Sequence, residues 1–136
     1  MNHPLFVYGT LLSSSSHPMS NYLASRATLL GAARLHCACL YDLGTYPAIQ
    51  FTNQVTSPVV GELYQLHEDQ FAETIAALDS YEGIGPASTI PDLYERLVVS
   101  VEFNRSTCQA WTYVMHSIPE SAVLVPTGDY STWHRV

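Results

Sequence analysis

Apolar and polar positions along the chain mark one clear helix and a series of short strands. Pro4 to Tyr8, the run PLFVY, is apolar without interruption and reads as a short buried strand. Tyr22 to Leu30 reads as a short helix that stops before Gly31, and Ala32 to Leu40 as a strand. In YDLGTYPAI, Tyr41 to Ile49, Gly44 and Pro47 predict a turn followed by an extended piece. PVVGELYQL suggests another strand through Val59, Val60, Leu63 and Tyr64. Further strands are expected in Leu93 to Phe103, which alternates from Leu97 to Val101, and in Cys108 to His116. The clear helix lies in HEDQFAETIAALDSYEG. Phe71, Ile75 and Leu78 fall on one face at steps of four and three, with Ala72 and Ala76 beside them. Glu68 and Asp69 suit its N-terminus and Gly83 its stop, which places the helix at about Glu68 to Ser80.

Several short strands around one good helix, without regular strand and helix alternation, predict an α+β fold. Its sheet should be mainly antiparallel and is a candidate for closure into a barrel. The 136 residues are 47% hydrophobic and 12% charged, enough for one core, so a single domain over residues 1–136 without a linker is expected. The serine string Ser13 to Ser16 is too short for a linker, and IGPASTIPDL, Ile84 to Leu93, reads as a loop.

Charge narrows the function classes. The formal net charge is −7, and the basic residues are five scattered arginines, Arg26, Arg34, Arg96, Arg105 and Arg135. They form no patch that would neutralise phosphates, so nucleic acid is not an expected partner. The absence of lysine excludes a lysine Schiff base and a GxxxxGK phosphate loop. No apolar stretch approaches the roughly 20 residues of a membrane span, and the N-terminus has no signal-peptide pattern, so a cytoplasmic protein without membrane contact is expected. Cys37, Cys39 and Cys108 cannot all pair. The first two, placed on one strand, would point to the same face, and reduced, packed thiols are expected. The six histidines show no ligand spacing, and neither metal nor organic cofactor is expected.

Two features carry candidate chemistry. Gly9 ends the first apolar run. A glycine there opens dihedrals closed to other residues and lets consecutive N–H groups form a concavity for an anion; the ordinary alternative is a strand ending in a tight turn. Glu82 falls at the C-terminal end of the main helix, where the negative end of the helix dipole and partial burial beside Tyr81 would raise its pKa. A carboxylate so tuned can take and return a proton near neutral pH; the ordinary alternative is an exposed glutamate in a helix-terminal turn.

FVYGTL (Phe6 to Leu11), LGTYPA (Leu43 to Ala48), VVGELYQL (Val59 to Leu66), LDSYEG (Leu78 to Gly83), YERLVVSV (Tyr94 to Val101), AWTYV (Ala110 to Val114) and GDY (Gly128 to Tyr130) together resemble the γ-glutamylcyclotransferase-like family, in that family's order and over most of the chain. The resemblance implies a small barrel with flanking helices and a cavity at one mouth. It also implies that Tyr8, Gly9, Thr10, Leu11 and Leu12 hold the α-carboxylate of a γ-glutamyl substrate through backbone N–H groups, and that Glu82 is the catalytic acid/base. The implied reaction cyclises a γ-glutamyl amine or γ-glutamyl amino acid to 5-oxoproline, with the small substrate as partner and the chain a monomer or weak dimer. Tyr113 is a candidate for the oxyanion or for the substrate's amino end, and equally for a barrel tyrosine with a satisfied hydroxyl. Tyr46 is expected to be structural or pocket-lining, Arg96 to pair with a nearby acid, and Asp79 to cap backbone groups near the helix end. The serine string and the Ile84 to Leu93 loop depart from the family pattern and bear on the leaving group. Two alternatives stay open: a non-catalytic member that binds a small ligand or a protein, and removal of a γ-glutamyl protecting group from a biosynthetic intermediate.

Overall fold

The computed structural model describes residues 3–44, 46–54, 57–82 and 94–133. Strands β1 (Leu5–Val7), β2 (Ala27–Leu35), β5 (Val59–Leu66), β6 (Tyr94–Phe103) and β7 (Ser106–Met115) close a barrel in the order β1-β5-β2-β6-β7. Four of its seams are antiparallel and the β1–β7 seam is parallel. Strands β3 (Ala38–Asp42), β4 (Pro47–Phe51) and β8 (Val123–Leu124) make a second antiparallel sheet. Helix α1 (Pro18–Arg26) precedes β2, and α2 (Phe71–Tyr81) follows β5 after a 3-10 turn at Glu68–Gln70. The fold is α+β with a small barrel. Among the described residues no helix is long and apolar enough to cross a membrane.

β1 is apolar throughout because both its faces are buried. Leu5 and Val7 pack with Leu23 of α1 and with Ile75 and Leu78 of α2, while Phe6 packs with Leu40, Ile49 and Leu63 on the other side. The same division runs along β7, where Tyr113 and Met115 join the helix side and Ala110 and Val114 the other. Burying a side chain of this size contributes about 1.5–3 kcal/mol, so the two clusters hold the helices against the barrel. The hairpin between β6 and β7 turns on Asn104 and Arg105, with φ of 50° and 64°, which fits a tight two-residue turn matched to strand twist.

The structure corrects three expectations. The first helix spans Pro18–Arg26, not Tyr22 to Leu30. His17 caps it by accepting the Met19 N–H at Nδ1, and Pro18 takes the first helical position, where its missing donor costs nothing. Ala27 to Leu29 are strand because they pair with Leu66 to Tyr64 of β5. Gly31 is no helix stop, and its φ of 141° accompanies a register shift inside β2. The strand expected from Ala32 to Leu40 is two strands, broken at His36 and Cys37, where Cys37 has φ 63°. Cys37 and Cys39 therefore do not share a strand. All three cysteines are free, but Cys37 is exposed rather than packed. The Gly83 stop and the Ile84 to Leu93 loop lie outside the described residues.

Candidate active site

A cavity of about 400 Å³ opens between the end of β1, the segment that follows it and the C-terminal end of α2. Tyr8, Gly9, Thr10 and Leu11 line one side and Tyr81 and Glu82 the other, with Tyr94 and Tyr113 reaching in from the barrel. Two segments more than 70 residues apart in sequence thus face each other, linked directly by a 2.8 Å hydrogen bond between Thr10 Oγ1 and Tyr81 Oη.

The C-terminal end of α2 presents two carboxylates in contrasting surroundings. Asp79 receives Arg96 Nε at 2.8 Å and Nη2 at 3.1 Å in a bidentate pair, and Tyr113 Oη donates to its Oδ1 at 2.8 Å. The guanidinium also lies 4.6 Å from the centre of the Trp111 ring. Arg96 thus pairs with an acid as expected. Both oxygens of Asp79 are engaged by side chains, and among the described residues it caps no backbone N–H of the helix, contrary to expectation. Glu82 is the residue after α2, and its N–H continues the helix by donating to Leu78 C=O. Burial pushes its carboxyl up to about 7, and the negative charge of Asp79 adds to the shift. The direction is the one expected from the sequence, but the neighbouring charge that acts is Asp79. Burial also drives the phenols of Tyr8, Tyr94 and Tyr113 well above their usual value, and the Glu82 charge contributes at each. These hydroxyls are neutral hydrogen-bonding groups at physiological pH.

Tyr113 faces the cavity with its one proton already donated to Asp79. Its free capacity is as an acceptor, which suits an ammonium group and not an oxyanion. The hydroxyl of Tyr8 donates to Tyr113 C=O at 2.8 Å, and that of Tyr94 to Pro47 C=O at 2.8 Å. Tyr46 lines the mouth, with its ring 6.4 Å from that of Tyr94.

The loop after β1 differs in part from expectation. Among the described residues, the N–H groups of Thr10 and Leu11 meet no acceptor. The N–H of Leu12 donates to Gly9 C=O at 3.0 Å, its C=O accepts Ser15 N–H and Ser20 Oγ, and its side chain lies in the core. Leu12 thus does not line the cavity and cannot offer its amide to a ligand. Gly9 is not at positive φ. A Cβ there would stand 2.2 Å from Pro47 Cγ, so the site demands glycine for close approach rather than for unusual dihedrals. Ser13, the first of the serine string, is bound at N–H and Oγ by the two oxygens of Glu62 on β5, each at 2.7 Å. The string begins by tying the loop to the barrel. Among the described residues there is no cluster of three or more side chains suited to a metal.

Residues 5–132 match the family described as gamma-glutamyl cyclotransferase, AIG2-like. The chain belongs to that family. It is 34% identical over 95 residues to a putative gamma-glutamylcyclotransferase of Halalkalibacterium halodurans, an overlap of 69% of this chain and 78% of that one. Its fold is that of an AIG2-like protein from Mus musculus, with a TM-score of 0.67 and 18% identity over 94% of this chain and 87% of the other. It also superimposes on YkqA from Bacillus subtilis with a TM-score of 0.69 and 24% identity; 96% of this chain is covered but only 40% of YkqA, so the chain spans less than half the length of that relative.

Within the γ-glutamyl cyclotransferase frame, sequence reasoning passed over His17 and Tyr81 as site residues. Tyr81 stands beside Glu82 in LDSYEG, and His17 precedes Pro18 in a helix-start pattern. Those are the signals that could have found them.

Proposed function

We propose that this γ-glutamyl cyclotransferase-like chain cyclises a γ-glutamyl amine or γ-glutamyl amino acid to 5-oxoproline and releases the free amine. The observation that carries the reading is Glu82, a carboxyl raised to about 7 in a cavity whose opposite wall offers the N–H groups of Thr10 and Leu11. The substrate's α-carboxylate sits on that wall. Its α-ammonium lies toward Glu82 and the acceptor oxygen of Tyr113. Ionised Glu82 takes one ammonium proton, and the amine nitrogen attacks the γ-carbonyl carbon. The C–N bond to the leaving amine then breaks as protons pass to it by way of Glu82. One of the three ammonium protons stays on the lactam nitrogen and two leave on the released RNH3+. Nucleophile and electrophile share one molecule, so fixing its ends in a folded shape is the main task, and orientation of this kind contributes roughly 7–11 kcal/mol.

The test is incubation of the purified protein with a panel of γ-glutamyl amines and γ-glutamyl dipeptides. The expected result is release of 5-oxoproline with stoichiometric amine, and the panel ranks the leaving groups. A folded protein that releases none from any member overturns the reading.

A further inference from the structure

His17 is the helix cap of α1, yet its ring also borders the active-site cavity. Its two nitrogens face different partners. Nδ1 accepts the Met19 N–H at 3.0 Å, and Nε2 lies 3.4 Å from Tyr81 Oη, with the two rings in edge contact at 5.1 Å between centres. Tyr81 Oη is in turn 2.8 Å from Thr10 Oγ1, which lines the cavity.

These contacts have one consistent polarity. A nitrogen that accepts from a backbone N–H carries no proton, so the single proton of the neutral imidazole is on Nε2. Nε2–H then donates to Tyr81 Oη. The phenol proton has one other acceptor among the described residues, Thr10 Oγ1. With its lone pair engaged by Tyr81, the threonine hydroxyl has its own proton left over, on the side of the cavity.

We propose that His17 is a positioning residue: through Tyr81 it turns the hydroxyl proton of Thr10 into the cavity, where it adds a side-chain donor to the N–H groups that hold the ligand's carboxylate. This rests on the carboxylate-binding role of the loop given above. It explains why a histidine caps α1 where a serine or aspartate would satisfy the helix equally well, since serine has no second polar atom and the second oxygen of an ionised aspartate is an acceptor on a shorter side chain, with no proton to give to Tyr81.

Two measurements test it. The first needs no ligand: long-range proton–nitrogen spectra of the imidazole in the free protein at pH 8 should give the Nε2–H tautomer for His17, and the Nδ1–H tautomer overturns the relay. The second is steady-state kinetics on the best substrate of the panel. Thr10→Val should raise KM about tenfold or more with kcat little changed, the size expected for one hydrogen bond to a charged group. His17→Asn, which keeps a good helix cap, and Tyr81→Phe, which keeps the ring, should each raise KM by roughly threefold or more, within the range of one neutral hydrogen bond. On a Thr10→Val background neither should raise it further. Rises that add in full to that of Thr10→Val would make His17 and Tyr81 packing residues and overturn the proposal. Absence of turnover in the wild-type chain would strike the proposed reaction instead; the relay is then decided by the tautomer and by the same variants' affinity for 5-oxoproline, where loss in Thr10→Val alone overturns it.

Discussion

The two walls of the cavity do opposite things with the same kind of surroundings. The wall formed by Thr10 and Leu11 is uncharged, presents donors, and is fixed from behind by Ser13 on Glu62 and by Leu12 on Gly9. The wall at the end of α2 is acidic and divides its two carboxylates, one tied to Arg96 and Tyr113, the other desolvated and raised to about 7. Partial burial makes neutral donors effective at holding an anion and disfavours the ionised form of a carboxyl. In the proposed function the first effect serves binding and the second the movement of a proton. Asp79 shows the contrast within that wall: a carboxylate already engaged by three side-chain hydrogen bonds.

The largest break in this comparison is Glu82→Gln. Loss of a positioned acid/base is expected to lower kcat by about 10²–10⁴-fold, with binding of 5-oxoproline at the opposite wall retained. Stability should move the other way. The folded-state pKa of about 7 lies above the usual carboxylate value of 4.5, so between those pH values the folded chain holds a proton that the unfolded chain has lost. Glu82 therefore costs stability as pH rises from 4.5 to 7, and the cost is complete above 7. It amounts to at most about 3 kcal/mol. Glu82→Gln should be more stable than the wild type at pH 8 and near parity at pH 4.5, as read by denaturant unfolding at the two pH values. Equal stability at both would mean that Glu82 is not desolvated. In the wild type, kcat/KM should rise with pH along an acidic limb near 7.

Asp79→Asn sharpens the division within the acidic wall. It removes the repelling charge one turn from Glu82 and leaves the Arg96 guanidinium without its carboxylate, and both changes lower the Glu82 pKa. The acidic limb of kcat/KM should shift to lower pH, and the broken, partly buried pair should cost about 1–3 kcal/mol of stability. An acidic limb that stays in place would assign the whole Glu82 shift to desolvation.

How far these walls are legible in the sequence depends on whether the cause is local. Glu82 could be read because its helix is marked by Phe71, Ile75 and Leu78, and a carboxylate at that helix's end is mismatched within the same few residues. The neighbouring charge of Asp79 could not, because only the register of β6 against β7 and the packing of α2 bring Arg96 and Tyr113 to it. The barrel was legible as a tendency in the alternating strands. The second sheet was not, because Cys37 at φ 63° breaks a run whose apolar pattern continues straight through it. The first helix was displaced for the same reason: Leu29 and Leu30 extend an apolar helix pattern, but β5 offers Ala27 to Leu29 a pairing partner that outweighs their propensity.

Gly9 is held to glycine by its close approach to Pro47 and not by freedom of φ, and a small substitution separates the two causes. If freedom of φ mattered, Gly9→Ala would strain the backbone of the loop alone. With φ outside the positive region, alanine is conformationally acceptable, and the obstacle is the Pro47 ring, whose Cγ and Cδ would stand 2.2 Å and 3.0 Å from the new methyl. A proline ring cannot swing aside as a flexible side chain can, so the loop and the start of β4 must separate. Overpacking of this kind costs about 1–3 kcal/mol. Because Pro47 C=O holds the Tyr94 hydroxyl at 2.8 Å inside the cavity, the displacement should reach the barrel wall and raise KM as well. Denaturant unfolding and KM on the same samples check both parts. Replacing Pro47 by alanine in the Gly9→Ala background should recover part of the lost stability, since it removes the atoms in conflict. A variant that regains nothing would return the demand for glycine to the backbone, and with it the loop to the status of an ordinary turn.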